Sequence, residues 1–232
     1  MKQFFYEYID STNDEAKRLL MAGERDFCVL AARQTAGKGS RGRSFLSEEG
    51  GLYLSVVLPK ESVSVPPTIL GAAAAAVAMS RLCGRQLGCK WVNDLILEGK
   101  KVGGVLAEVC GGFIVLGIGV NLNQTEFPSE LSHVSSLKLC CGRNFDWQAA
   151  QRALLQQLES FAADGDAAFR AYSARLLTLG RSVVVHSEGS ARRAQALALE
   201  KSGALRLRWE DSGREELLLS GQISLRAEQG YL

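Results

Sequence analysis

Histidine is scarce, with two residues in a chain of 232, and none of the six cysteines stands in a C-x-x-C pair. Cys28, Cys83, Cys89, Cys110, Cys140 and Cys141 therefore offer no structural zinc site of the usual kind and read as buried free thiols in a reducing compartment. An excess of charge of one sign is also missing. Lys and Arg total 27 against 25 Asp and Glu, a formal net charge of +2, so no broad basic field exists to hold nucleic acid non-specifically. Long apolar runs are absent as well. The longest run of small residues, Gly71 to Met79, is too short to cross a bilayer. The first ten residues mix Lys2, Glu7 and Asp10 with aromatics and carry no apolar signal region. These absences point to a cytoplasmic protein with neither nucleic acid nor membrane as a partner. Any phosphate chemistry must come from a local cluster of charge.

What is present is ordinary for a globular chain, with 47% hydrophobic and 22% charged residues. Gln3 to Ile9 reads as a short aromatic strand. A helix follows, with Ser11 or Thr12 as cap and Ala16, Leu19 and Leu20 as its apolar stripe. Phe27 to Ala32 reads as a buried strand, Gln34 to Gly51 as a glycine-rich basic loop, and Leu52 to Leu58 as another strand. Pro66 and Pro67 open an alanine-rich helix that stops near Gly84. Gly88 to Trp91, Leu95 to Leu97, Val102 to Val109 and Phe113 to Val120 form further strands, the last two joined through Gly111-Gly112. Leu122 to Asn144 has weak periodicity and reads as a long loop. Helices are expected over Trp147 to Ala162 and Asp166 to Leu179, with Gly180 as the stop.

Beyond residue 180 the pattern changes. Val183 to Val185, Ala194 to Leu199, Ala204 to Trp209, Glu216 to Leu219 and Ile223 to Leu225 form short strands separated by turns such as Ser202-Gly203 and Ser212-Gly213, the pattern of a small SH3-like barrel. The fold class is thus α+β, a mixed sheet with flanking helices followed by a β-barrel. The domains are expected at 1–180 and 181–232, with no DNA-binding domain ahead of the first.

Four constellations carry candidate chemistry. Gln34-Thr35-Ala36-Gly37-Lys38-Gly39-Ser40-Arg41-Gly42-Arg43 alternates glycines with cations. Glycines let a backbone fold around a ligand and aim N–H groups at anionic oxygens, while Lys38, Arg41 and Arg43 add charge-assisted hydrogen bonds. The loop suits a phosphate or a carboxylate, and equally a solvated basic loop or an RNA contact. It is not a P-loop, because Ala32 holds the early glycine position and Gly39 follows Lys38. Lys90-Trp91-Val92-Asn93-Asp94 sets a lysine at a strand end, where it either neutralises developing charge or snorkels to the surface beside a turn. Gly117-Ile118-Gly119-Val120-Asn121 permits either close approach of a ligand or a bulge. Asp10-Ser11-Thr12-Asn13 either binds a polar ligand group or caps a helix.

Taken together and in this order, these segments, with Gly51-Leu52-Tyr53-Leu54-Ser55, Lys101-Val102-Gly103-Gly104-Val105-Leu106 and Gly221-Gln222-Ile223-Ser224-Leu225, resemble the biotin–protein ligases of the biotin–[acetyl-CoA-carboxylase] ligase type over nearly the whole chain. The resemblance implies a catalytic domain related to class II aminoacyl-tRNA synthetases and an SH3-like domain. It also implies an ATP-dependent enzyme that forms biotinyl-5′-AMP, with Mg²⁺ on the phosphates, and passes biotin to a lysine of biotin carboxyl carrier protein. It carries over Ser11, Thr12, Asn13, Gln34, Lys38, Gly39, Ser40, Lys90, Gly103 and Gly104 to biotin, and Gly37, Arg41, Arg43, Asn93 and Asn121 to ATP. Lys90, Lys38 and Arg43 are the implied catalytic cations; no Mg²⁺ ligand is assigned, and the chain is expected to act as monomer or homodimer. Departures from the family pattern are Lys38 and Ser40 where arginines are usual, Val92 for proline, and Gln222 for an acid. Ser40 puts retention of the adenylate in doubt unless Arg41 substitutes. The alternatives are a lipoate–protein ligase, whose Arg-Arg-x-Ser-Gly-Gly-Gly signature is absent, and a non-catalytic biotin or nucleotide sensor.

Overall fold

A computed structural model describes residues 1–187, 190–219 and 224–227. Its larger sheet is built from β1 (Lys2–Ile9), β2 (Phe27–Gln34), β3 (Leu52–Pro59), β4 (Gly88–Lys90), β5 (Asp94–Leu97), β6 (Lys100–Cys110) and β7 (Phe113–Val120). The seven strands run in the order β1-β2-β3-β7-β6-β5-β4. Only β1 and β2 pair in parallel, and the crossover between them is α1 (Thr12–Met21), so the sheet is mixed. Ser11 is the cap of α1, its Oγ accepting from the Asp14 N–H at 3.4 Å, which makes Thr12 the first helical residue.

One face of the sheet is covered by α2 (Pro67–Cys83), which has α4 (Trp147–Ala163) and α5 (Gly165–Ser173) behind it. A helix enclosed on all sides must be apolar all round, and Ala72 to Ala76 are fully buried. Gly71 sets how closely α2 approaches: a Cβ there would meet Val105 Cγ1 at 2.9 Å and Leu116 Cδ1 at 3.1 Å. Among the described residues no helix is long and apolar enough to cross a membrane.

β8 (Ser182–Ser187), β9 (Ser190–Leu199), β10 (Leu205–Trp209), β11 (Glu215–Leu218) and β12 (Ser224–Ala227) form a separate antiparallel sheet in the order β11-β10-β9-β8-β12, as expected of an SH3-like unit. Gly221 to Ile223, with Gln222, lie outside the described residues. The two sheets share one core: Val183, Val185, Ala194, Ala196, Leu205 and Leu207 belong to the same apolar cluster as α2.

Two expectations need correcting. Leu122 to Asn144 is not a structureless loop. It holds a 3₁₀ turn at Ser129–Leu131 and α3 (Leu137–Cys141). The buried Ser136 hydroxyl donates to Gln124 O (2.6 Å) and accepts from Leu139 N (3.1 Å), capping that short helix. The segment is also stitched to the start of β6, where Lys101 N donates to His133 O and Ser135 N to Lys101 O, both at 2.9 Å. Its order comes from these long-range partners, which periodicity does not report. The second terminal helix stops at Ser173 rather than Leu179. Cys89 of β4 takes the backbone beyond it, through Cys89 N to Arg175 O and Leu177 N to Cys89 O, both 2.8 Å, and so pulls the chain out of the helix.

Candidate active site

A cavity of about 310 Å³ opens on the face of the sheet opposite α2. Its floor is β6 and β7, where Gly104 and Gly119 are register partners. A Cβ at Gly119 would meet the Phe45 ring at 2.6 Å, so the missing side chain is what lets that ring lie against the floor. From Gly117 to Asn121 the floor extends about 13 Å along the strand, enough for two chemically different ends.

The first end is neutral and polar. The start of α1 delivers Ser11, Thr12 and Asn13, all buried, and the end of β2 delivers Gln34. Gln34 Oε1 accepts from Thr12 N (2.8 Å) and Thr12 Oγ1 (3.0 Å), while its Nε2 donates to Ser47 Oγ (2.8 Å). Ser55 on β3 lies beneath, 2.8 Å from Thr12 Oγ1 and donating to Asn13 Oδ1 at 2.6 Å. Asn13 Nδ2 in turn donates to Glu108 at 2.7 Å. Thr12, Asn13, Gln34 and Ser55 are each held by another of the four or by a neighbour, so their donors and acceptors are fixed before a ligand arrives.

Positive charge surrounds the middle. Lys38 and Arg43 come from the glycine-rich loop, which closes on itself through Gly39 N to Arg43 O (2.7 Å) and Phe45 N to Gly37 O (2.8 Å). The Arg43 guanidinium folds back to donate to Ser40 Oγ at 2.9 Å. Lys101 rises from β6, paired with Asp94 at 2.6 Å and mostly screened from solvent, with its Nζ 6.0 Å from the centre of the Phe45 ring. At the far end stand Asn93, Asn121 and the wall from the ordered 122–144 segment, including Phe127, Leu131 and His133. Asn121 is buried. Its Nδ2 donates to Ser135 O at 2.9 Å, and its Oδ1 has no hydrogen-bond partner. A buried acceptor left open at a cavity wall is suited to a ligand N–H.

The model of the biotin/lipoate A/B protein ligase family matches residues 5–124. The chain belongs to this family. Among its relatives, the biotin--[acetyl-CoA-carboxylase] ligase of Mycobacterium tuberculosis is 32% identical over 202 residues, 77% of this chain and 72% of that protein. The bifunctional ligase/repressor BirA of Bacillus subtilis is 32% identical over 155 residues, 61% of this chain and 48% of that protein. The chain spans about half the length of several relatives that it matches. The biotin protein ligase from Aquifex aeolicus solved in complex with biotin and ATP superposes with a TM-score of 0.81 at 26% identity, over 97% of this chain and 99% of that one.

In this family member the cavity wall brings together Ser11, Thr12, Asn13, Gln34, Lys38, Gly39, Ser40, Arg43, Asn93, Gly104 and Asn121. Gly37, Arg41, Lys90 and Gly103 are not on it. Gly103 faces Leu95 and packs between strands. Lys90 is buried at the end of β4, one strand from the floor, and its register partner Asp94 pairs with Gly104 of the floor, so its side chain leaves the sheet on the cavity face. Lys101 is the cation that sequence reasoning passed over, although it opens the segment Lys101-Val102-Gly103-Gly104. Phe45 was missed too; the available signal was an aromatic two residues after the glycine–cation run.

The carboxylate that precedes the polar end is itself anchored. Arg18 grips Asp10 with two bonds of 2.9 and 2.7 Å, and the Ser11 N–H adds a third at 2.6 Å. Chiefly through Arg18, and against partial burial, the Asp10 carboxyl is drawn down from 3.8 to about 2. A group depressed on folding stabilises the protein above its unfolded pKa and loses that contribution as pH falls toward the folded value. Stability is therefore expected to decline between pH 3.8 and about 2, and Asp10→Asn to flatten that part of the profile. Denaturant midpoints across the window measure it; an unchanged slope in the variant removes the assignment.

Proposed function

We propose that this chain is an ATP-dependent biotin–protein ligase. The carboxylate of biotin attacks the α-phosphorus of ATP, forming an O–P bond as the bond to pyrophosphate breaks. The amine of a carrier lysine then attacks the acyl carbon of biotinyl-5′-AMP, an amide forms, and AMP leaves with the bonding pair. The acceptor is the biotin carboxyl carrier protein of acetyl-CoA carboxylase. The catalytic unit is assigned to residues 1–180 and the SH3-like unit to 181–232.

One observation carries this reading: a single cavity joins a rigid neutral polar end to a cationic middle and an open amide acceptor. A ureido ring is uncharged, so selecting it takes directional donors and acceptors such as Ser11, Thr12, Asn13 and Gln34. Charge that gathers on the five-coordinate phosphorus takes fixed cations, and Lys38, Arg43 and Lys101 are those on the wall. We assign Lys90 to the same developing charge, with Lys101 beside it: Lys90 leaves the sheet on the cavity face, because its register partner Asp94 pairs in turn with Gly104 of the floor, and Asp94 holds Lys101. Asn121 Oδ1 is matched to the exocyclic amine of adenine. No cluster of three metal-ligating side chains exists among the described residues. Magnesium is thus assigned to the nucleotide it arrives with, carried by its phosphates.

The test is isotope exchange between pyrophosphate and ATP, followed by transfer of label to an isolated carrier domain. Exchange that depends on biotin, then labelling of the carrier lysine, is expected. Exchange driven by lipoate instead moves the activity to the lipoate branch of the family. Ligand binding without exchange leaves a sensor.

A further inference from the structure

Lys38 stands where a charged ligand group would sit, yet its charge is already engaged. Its Nζ lies 2.6 Å from Asp14 Oδ2 and 2.7 Å from Oδ1, and both side chains are partly open to solvent. Asp14 belongs to the first turn of α1, directly after the cavity residues Ser11, Thr12 and Asn13. This one contact ties the glycine–cation loop to the polar end of the site across 24 residues of chain.

We propose that Asp14 is a positioning residue, a latch that holds Lys38 and its loop in place until an incoming acyl-phosphate anion takes the ammonium over. The inference rests on the ligase reading for the identity of that anion. Two features make the exchange reversible. A lysine ammonium is a point charge on a flexible stem, free to turn from one anion to another, whereas an arginine fork would be committed to one planar partner. Asp14 is also not stranded when Lys38 leaves. Lys17 stays 3.6 Å from it, itself anchored to Glu108 at 2.6 Å, and the N-terminus of α1 favours a negative charge there.

An exposed pair of this kind is weak, so it competes with a ligand only mildly, by about three-fold. Asp14→Asn, which keeps size and can still bond locally, is expected to speed amide exchange of residues 37–46 about three-fold in the ligand-free protein. Exchange in the complex with biotinyl-5′-AMP should stay unchanged, and affinity for that ligand, titrated calorimetrically, should rise about three-fold. Asp14→Glu should restore both readings. In a Lys38→Ala background the same change at Asp14 should do nothing. Effects absent in the single variant, or persisting without Lys38, overturn the latch. A wild-type chain that fails the pyrophosphate-exchange assay removes the ligase reading instead, while amide exchange in the free protein still decides whether Asp14 orders the loop.

Discussion

Replacing Lys101 by alanine is expected to slow biotin-dependent adenylate formation on the order of 10²–10³-fold. The physical reason is the medium. Lys101 is held in a largely screened pair with Asp94, next to the Phe45 ring, at the wall of a cavity that a bound ligand would close to water. There a fixed ammonium acts at an effective dielectric well below that of water and needs no reorganisation as charge develops. Lys90→Ala is expected to cripple adenylate formation as well, because its side chain leaves β4 on the cavity face, opposite Asp94. Pyrophosphate exchange at saturating substrate, measured with calorimetric unfolding on the same samples, separates lost chemistry from lost fold in both variants. A Lys101→Ala enzyme within ten-fold of wild type would end its assignment, and a Lys90→Ala enzyme that makes biotinyl-5′-AMP at near the wild-type rate would end that of Lys90.

The second large effect concerns stability. Trp91→Ala should cost about 3–5 kcal/mol. The indole is buried in the common core, its Nε1 donates to Gly203 O at 3.0 Å, and its backbone N donates to Thr178 Oγ1 at 3.0 Å. Truncation would leave a void and an unpaired carbonyl where the two sheets meet. Trp91→Phe should recover most of the packing and leave only the missing hydrogen bond, a deficit of about 1 kcal/mol. The expected signature is a loss of stability felt by both sheets, followed through Trp209 in the smaller sheet and by far-ultraviolet dichroism for the whole chain. A cost below about 1 kcal/mol for the alanine variant is incompatible with Trp91 as the anchor between them.

Much of the candidate site was open to inspection in the residue order. Ser11, Thr12, Asn13 and Gln34 lie at element ends, where a cap or a strand terminus leaves polar side chains free to face a cavity. Lys38 and Arg43 stand in a run whose glycines forbid a regular element. The wall contributed by Phe127, Leu131 and His133 was not open to inspection in the same way, because it forms only when the 122–144 segment pairs with β6.

Lys101 shows most directly where local pattern gives out. Strict alternation would put Lys101, Gly103 and Val105 on one face. The pairing of β5 with β6 shifts register, with Leu95 opposite Gly103 and Ile96 opposite Lys101, so Val102 is the extra residue of a bulge. A bulge reverses the alternation on one side of it, and Lys101 therefore shares the cavity face with Gly104.

The residue order by itself determined the elements and their sequence: the cap at Ser11, the proline and glycine that bracket α2, the glycine hairpin between β6 and β7, and the change to short strands after residue 180. Those signals act over a few residues through backbone preference and capping, so they survive reading one position at a time. Only the tertiary structure decided that Lys101 joins the cavity face, where α5 stops, and how the 122–144 segment is ordered. Each of those outcomes depends on strand register or on a hydrogen bond between residues far apart in the chain, and neither leaves a periodic trace along it.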